Sequence, residues 1–224
     1  MAKPKLIAVI PAYNEAGHVG QVVQSAKMFV DEVVVVDDGS ADETAAEASA
    51  AGARVYRHLV NRGVGGSTAT GLRAAVRLGA DIIVTLDADG QHLPLEVTNL
   101  AAPIERGEAD FVIGSRLLNR KRMPVWRRLA NCVADLCTWL LFGVRVSDSQ
   151  SGFRAYSREV ATSIDIRTSG MEVCSEIVAE VGRHNFRIAV VPITAVYTDY
   201  SLSKGQNFRV GVRTLGKLFM RAAG

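Results

Sequence analysis

Cysteine is scarce in this chain, with three in 224 residues: Cys132, Cys137 and Cys174. The number is odd and no pair has C-x-x-C spacing, which excludes a disulfide framework and a cysteine-bound zinc. Buried, reduced thiols are expected, as in a cytoplasmic protein. Long apolar runs are missing as well. The longest, Leu129 to Val144, is interrupted by Asp135 and is too short to span a bilayer. The opening MAKPKLIAVIPAYNE lacks a small-residue cleavage pattern, so it reads as a first strand and not as a signal peptide. There is no internal repeat and no low-complexity linker, so one domain over residues 1–224 is expected. Hydrophobic residues make up 48% of the chain, enough to build one core.

Charge is unevenly placed. Residues 1–110 carry nine Lys/Arg against fifteen Asp/Glu, and residues 111–224 carry seventeen against eight. The second half therefore has a net charge of +9 and is expected to face something anionic. Between Asp110 and Asp135 there is no acidic residue at all, but six cations: Arg116, Arg120, Lys121, Arg122, Arg127 and Arg128. Aromatic residues do not interleave with these bases and no base-reading motif is present, which argues against nucleic acid as a partner.

What the first half does contain is alternation. Short β-branched runs at Leu6–Pro11, Val33–Asp37, Val55–His58, Ile82–Asp87 and Phe111–Gly114 predict strands. Helical patterns at Gly17–Phe29, Asp42–Ala51, Gly66–Leu78 and Pro94–Arg106 fall between them. Such spacing predicts an α/β fold with a mostly parallel sheet and right-handed crossovers. Ser40 or Asp42 is placed to cap the second helix. In open sheets of this kind ligands gather at the carboxyl ends of the strands. Those ends read PAYNE, DDGS, HLVNRGVGGS, DADGQH and GSR, all polar or glycine-bearing.

Two of these ends suggest specific chemistry. If the fourth strand continues extended through Asp87, then Asp87, Asp89 and Gln91 point to one side. Paired like charges that close favour a cation between them, although an acidic turn is the plainer reading. The glycine-rich NRGVGGSTATG runs into a helix, whose amides suit a phosphate. Its spacing is neither a dinucleotide fingerprint nor a P-loop, and its signal is weak.

Taken in order and spacing, PAYNE, VVDDGS, NRGVGGSTATG, DADGQHLP, GSR and DSQSGFRAYS resemble the family 2 glycosyltransferases. Similarity is greatest to the branch of dolichyl-phosphate mannosyltransferase and polyprenyl-phosphate glycosyltransferases, and it covers about residues 5–200. The resemblance implies the GT-A fold, a three-layer α/β sandwich around a mostly parallel sheet. It also implies an inverting, metal-dependent transfer of a hexose from a UDP- or GDP-sugar. Pro11, Tyr13, Glu15 and Asp38 would line the nucleotide-sugar pocket, with Asp87 beside the diphosphate. Asp87, Asp89 and Gln91 match the family's D-x-D-x-Q pattern, which holds Mg²⁺ or Mn²⁺, hard cations suited to oxygen ligands.

The resemblance further implies a lipid-phosphate acceptor clamped by Arg116 and a second arginine, here Arg128, with Asp89, Arg116 and Arg128 as the catalytic set. A phosphate monoester is already anionic near neutral pH and needs no general base. The alternative acceptor is a hydroxyl of a glycan, small molecule or protein, for which Asp148, Glu172 or Glu176 would be the base. Lys204, in DYSLSKGQN, is placed to approach the phosphates. Arg209, Arg213, Lys217 and Arg221 recur every four residues beside an apolar stripe, predicting a basic amphipathic helix over about 207–222. Relatives of this type often continue into membrane-spanning helices. This chain does not, so it is expected to be soluble, peripheral at the cytoplasmic face, or recruited by a membrane partner.

Overall fold

The computed structural model describes residues 3–118, 125–194 and 196. Their chain order is β1 (Leu6–Ala12), α1 (Val19–Ala26), β2 (Glu32–Asp37), α2 (Thr44–Ala50), β3 (Arg54–Arg57), α3 (Gly63–Arg77) and β4 (Ile82–Thr85). After a 3-10 turn at Pro94–Glu96 follow α4 (Val97–Glu105), β5 (Phe111–Ser115), α5 (Val125–Phe142), β6 (Arg154–Ser157), α6 (Arg158–Ser163), α7 (Val173–Arg183) and β7 (Ile188–Pro192). The strands form one sheet in the order β3-β2-β1-β4-β6-β5-β7. Every pairing is parallel except those of β6, which runs antiparallel to β4 and to β5.

Alternation along the strands divides the interior into two cores. On β1, Leu6, Ala8 and Ile10 join Val33, Val35 and Val84 beneath α1 and α4. Ile7 and Val9 join Val34, Val36, Ile83 and Phe111 on the opposite face, with Leu72 of α3 and Ile177 of α7. A sheet covered on both faces needs nearly continuous apolar strands, which IAVI and VVVV provide. The expected three-layer α/β architecture is what the chain adopts.

Two features differ from the sequence expectations. The fourth strand ends at Thr85, two residues early, because the chain turns at Ala88 and Asp89. Asp87 and Asp89 are therefore brought together by a turn and not by strand alternation. The thiols are not all buried: Cys174 is, Cys137 is half-buried and Cys132 is exposed. Cys132 lies on the outward side of α5. Lys204 and the basic helix over 207–222 lie outside the described residues, as do Arg120, Lys121 and Arg122.

The antiparallel strand matters for function. The carboxyl ends of β1, β2, β4 and β5 point one way, and β6 enters the sheet from that same side. The loop 148–153 before β6 is thus set among them.

Candidate active site

The ends of β1 and β2 are stitched together. Asn14, at φ 53°, receives a hydrogen bond from Ala41 N on its Oδ1 (3.0 Å), and its own N–H donates to Ser40 Oγ (2.9 Å). Glu15 N donates to Thr44 Oγ1 (2.8 Å), while the Glu15 carbonyl accepts from His18 and Val19 at the start of α1. Asp42 accepts from Thr44 N (3.1 Å), but the helix begins at Thr44 with Glu43 before it, so neither Ser40 nor Asp42 is its cap. Tyr13 stands 47% exposed on this lip, with Pro11 and Glu15 behind it.

Asp38 is almost fully buried. It accepts from His58 Nδ1 (2.7 Å), Arg62 N (2.9 Å) and Gly63 N (2.7 Å), while His58 Nε2 lies 3.0 Å from Thr70 Oγ1. The carboxylate thus occupies the N-terminus of α3, where the helix dipole favours an anion. Gly65 N donates to the Ser169 carbonyl (3.0 Å), and a Cβ on Gly65 would sit 1.8 Å from the Thr168 carbonyl oxygen. These two contacts correct the phosphate reading of NRGVGGSTATG. Its first amides are taken by Asp38, and its glycines allow the backbone of residues 168–169 to approach.

The DADGQH turn holds the two facing carboxylates. Asp87 keeps 47% of its side-chain surface open at the floor of the rim. Its recess is tight behind: a Cβ on Gly152 would lie 2.6 Å from Asp87 Oδ1, so any side chain there would displace this carboxylate. Asp89 accepts from Gln91 N (3.0 Å) and from the Gln91 side-chain amide. Desolvation by the protein packed close behind the carboxylate raises the Asp87 pKa, offset in part by the Arg116 and Arg154 charges. Burial and then the Asp87 charge raise that of Asp89. Two carboxylates that resist ionising side by side, with only oxygen ligands on offer, fit a hard divalent cation whose remaining ligands come from substrate phosphates. Among the described residues no group of three or more His, Cys, Asp or Glu side chains forms a self-sufficient metal cage. Gln91 turns its amide nitrogen to Asp89, so it orients that carboxylate.

His92 was not singled out by sequence. It is 3% exposed, stacks on Phe153 (centroids 4.8 Å, 18°) and accepts from Asp87 N at Nδ1 (3.2 Å). That bond assigns the ring proton to Nε2, which faces Asp87 Oδ2 at 3.6 Å. Burial, assisted by the Arg116 charge, lowers the His92 pKa to about 4, so a neutral ring backs the carboxylate. Arg154 is likewise buried, donating to the carbonyls of Ser151 (2.8 Å), Ser149 (2.5 Å) and Cys174 (2.9 Å) and thereby shaping the loop beneath Asp87. SGFR was visible as part of a motif, but the role of each residue depends on contacts across the sheet.

Arg116, at the end of β5, is held by Asp148. Its backbone N–H and Nε donate to Asp148 Oδ2 (both 2.8 Å), and Nη2 donates to Oδ1 (2.7 Å). Asp148 is fully buried at φ 61°, and also accepts from Asn131 Nδ2 of α5 (3.2 Å). Asp135, one turn further on, accepts from the N–H groups of Asp148 (2.8 Å) and Ser149 (2.7 Å). Arg128 lies on the first turns of the same helix, exposed, three residues before Asn131. Of the candidate bases, Asp148 is saturated, and buried Glu176 accepts from Arg167 N, Thr168 N and the Thr168 hydroxyl. Glu172 is buried against Gly170.

The chain as a whole is similar to known proteins. The family model described as glycosyl transferase family 2 matches residues 7–164. The chain is 36% identical to the UDP-N-acetylglucosamine–dolichyl-phosphate N-acetylglucosaminyltransferase of Methanococcus voltae, over 100% of this chain and 98% of that one. It is 33% identical to the polyprenol monophosphomannose synthase of Mycolicibacterium smegmatis, over 92% and 83%. Among solved structures, glucosyl-3-phosphoglycerate synthase from Mycobacterium tuberculosis with Mn²⁺, UDP and phosphoglyceric acid superposes with a TM-score of 0.77. That match has 25% identity and covers 99% of this chain and 79% of that one.

Proposed function

The chain belongs to glycosyl transferase family 2 and is a glycosyltransferase, and from that premise we propose that it transfers a hexose from a UDP- or GDP-sugar to a polyprenyl phosphate with inversion. The observation that carries this reading is the guanidinium of Arg116, fixed by a buried carboxylate beside the Asp87/Asp89 pair. A cation so placed suits an anionic acceptor. Among the candidate bases, Asp148 and Glu176 are occupied by hydrogen bonds and positioned as scaffold.

In this reading Pro11, Tyr13 and Glu15 line the nucleotide side, and Asp38 organises it through His58 and the start of α3. Asp87 and Asp89 hold Mg²⁺ or Mn²⁺, with Gln91 and His92 orienting them. When bound, the metal offsets the charge that gathers on the departing diphosphate. Arg116, joined by Arg128 from α5, positions the acceptor phosphate. Its oxygen forms the new bond to the anomeric carbon as the bond to the nucleoside diphosphate breaks, and no proton need be removed. Lys204 would approach the diphosphate from the segment beyond the described residues.

The test is incubation with radiolabelled UDP- and GDP-sugars, Mn²⁺ and short polyprenyl phosphates. Label is expected in the organic phase and should require metal. Asp89→Ala is expected to abolish metal-dependent nucleotide binding, and retained binding would remove Asp89 from the site. The phosphoglyceric acid in the solved relative supports a second reading, a soluble acceptor. Transfer of label to an added soluble acceptor, with none entering the organic phase when polyprenyl phosphate is supplied, would favour that reading and overturn the first.

A further inference from the structure

The two oxygens of Asp38 are unequally occupied. The residue follows the end of β2, donates its own N–H to the Ala12 carbonyl of β1 (2.9 Å) and turns its carboxylate to the first residues of α3. Oδ1 accepts two bonds, from His58 Nδ1 (2.7 Å) and Arg62 N (2.9 Å). Oδ2 accepts one, from Gly63 N (2.7 Å), an amide it shares with Asn61 Oδ1 (3.1 Å). An ionised carboxylate offers about four lone-pair positions, two on each oxygen. Among the described residues one is left, and it belongs to Oδ2. The side chain that closes Oδ1 is His58, 9% exposed. Its carboxylate partner assigns the ring proton to Nδ1, so Nε2 accepts from the Thr70 hydroxyl of α3 (3.0 Å) and the ring is held at both ends.

We propose that Asp38, with Oδ1 closed by His58, accepts a single ring N–H, and that the donor is therefore a uridine and not a guanosine diphosphate sugar. The base edges differ in what they ask of a carboxylate. Guanine sets a ring N–H and an amino group side by side, and both oxygens are needed to meet them. With Oδ1 taken by His58 and the Arg62 amide, the guanine amino group would be enclosed without a partner. Uracil has one ring N–H between two carbonyls. It needs one oxygen, and a second open oxygen would oppose a carbonyl. Adenine and cytosine carry a lone pair in place of that ring N–H and would repel Oδ2. A donor enclosed without a partner is penalised strongly, which is how a polar site discriminates. The inference rests on the proposed function, which sets this lip on the nucleotide side, and it narrows the donor. His58 is then a positioning residue that sets the choice of base through Asp38.

Calorimetry of the full chain with Mn²⁺ and UDP, GDP or N3-methyl-UDP tests this. UDP should bind at least about tenfold more tightly than GDP, and than N3-methyl-UDP, whose ring nitrogen has lost its hydrogen. His58→Ala opens Oδ1 and should narrow the ratio of UDP to GDP affinity severalfold. His58→Asn, whose side-chain N–H can stand in for Nδ1–H, should restore that ratio. A merely structural role for His58 would weaken both nucleotides together and leave the ratio unmoved. GDP bound as tightly as UDP, N3-methyl-UDP bound as tightly as UDP, or a ratio unaltered in His58→Ala would each overturn the proposal. Should His58→Ala not fold, the two comparisons on the wild-type chain still decide. None of these results disturbs the proposed function, because nucleotide would still bind with metal. Absence of metal-dependent binding of both UDP and GDP would instead sink the nucleotide site itself, and this inference with it.

Discussion

Asp148 is an aspartate in left-handed backbone, fully buried and ion-paired, a costly combination for one residue. Its φ of 61° lets the carboxylate meet the Arg116 fork while its N–H turns back to Asp135. Gly152, four residues later, makes the complementary sacrifice by omitting a side chain where Asp87 must lie. Gly152→Ala places a methyl 2.6 Å from Asp87 Oδ1. It should weaken Mn²⁺-dependent nucleotide binding at least tenfold in calorimetry, with little change in metal-free stability. The raised pKa values of Asp87 and Asp89 give a second expectation. Both carboxyls take up protons at a higher pH than ordinary carboxylates, near 4, so apparent Mn²⁺ affinity should decline from a correspondingly higher pH as acid is added. Metal-free stability should follow the opposite course. The native state holds these protons more tightly than the unfolded chain, so stability falls as pH rises from the ordinary value through the raised one. Thermal melts with and without Mn²⁺ across that range would check both signs.

At the scale of elements, α5 and the loop 148–153 act as one support for the end of β5. Asp148→Asn leaves the shape but removes the charge that anchors Arg116. The loss should be about 3 kcal/mol by chemical denaturation, the low end for a broken buried pair because Arg116 retains some exposure. Asp110 similarly links β5 to β7, accepting from Arg187 N, Nε and Nη2. Those bonds depress the Asp110 pKa. Their contribution is therefore present above the ordinary carboxylate range and lost as pH falls through the depressed value. Asp110→Asn should destabilise slightly at neutral pH and become indistinguishable from wild type in strong acid, as urea titrations at several pH values would reveal.

Much of this order was legible in the residues. VVVV and IAVI left little doubt about central strands, and PAYNE, DDGS and DADGQH were recognisable as strand ends. Arg154–Ser157 was not legible as a strand: RAYS is four residues long, begins with a charge, and is extended because it pairs with Ile82–Thr85. Helix α5 appeared only as an interrupted apolar run, since periodicity cannot tell a buried face from an exposed one. Gly152 gave no warning because it meets Asp87 only after the chain has crossed the sheet, and His92, although in the same turn as Asp87, is fixed by its stack on Phe153 from across the sheet.

On the scale of the whole molecule, β6 joins two blocks. The parallel set β3-β2-β1-β4 lies on one side and the β5-β7 pair on the other, and β6 hydrogen-bonds to both. A fragment ending before Arg154 would leave β4, four buried residues of which three are apolar, as an open edge, a template for intermolecular pairing. Residues 1–147 expressed alone should therefore aggregate or associate in size-exclusion chromatography, although they contain both DDGS and DADGQH.

The central antiparallel strand also bears on timing. Seating Arg154 opposite Thr85 closes a loop of about 70 residues, a non-local step that is entropically slower than forming the local βαβ units. Those units carry both acidic turns, yet the floor beneath Asp87 is contributed by the segment that arrives with β6. In a refolding experiment the far-ultraviolet signal of helices and strands should accordingly recover ahead of Mn²⁺-dependent nucleotide binding: the protein regains its shape before its competence.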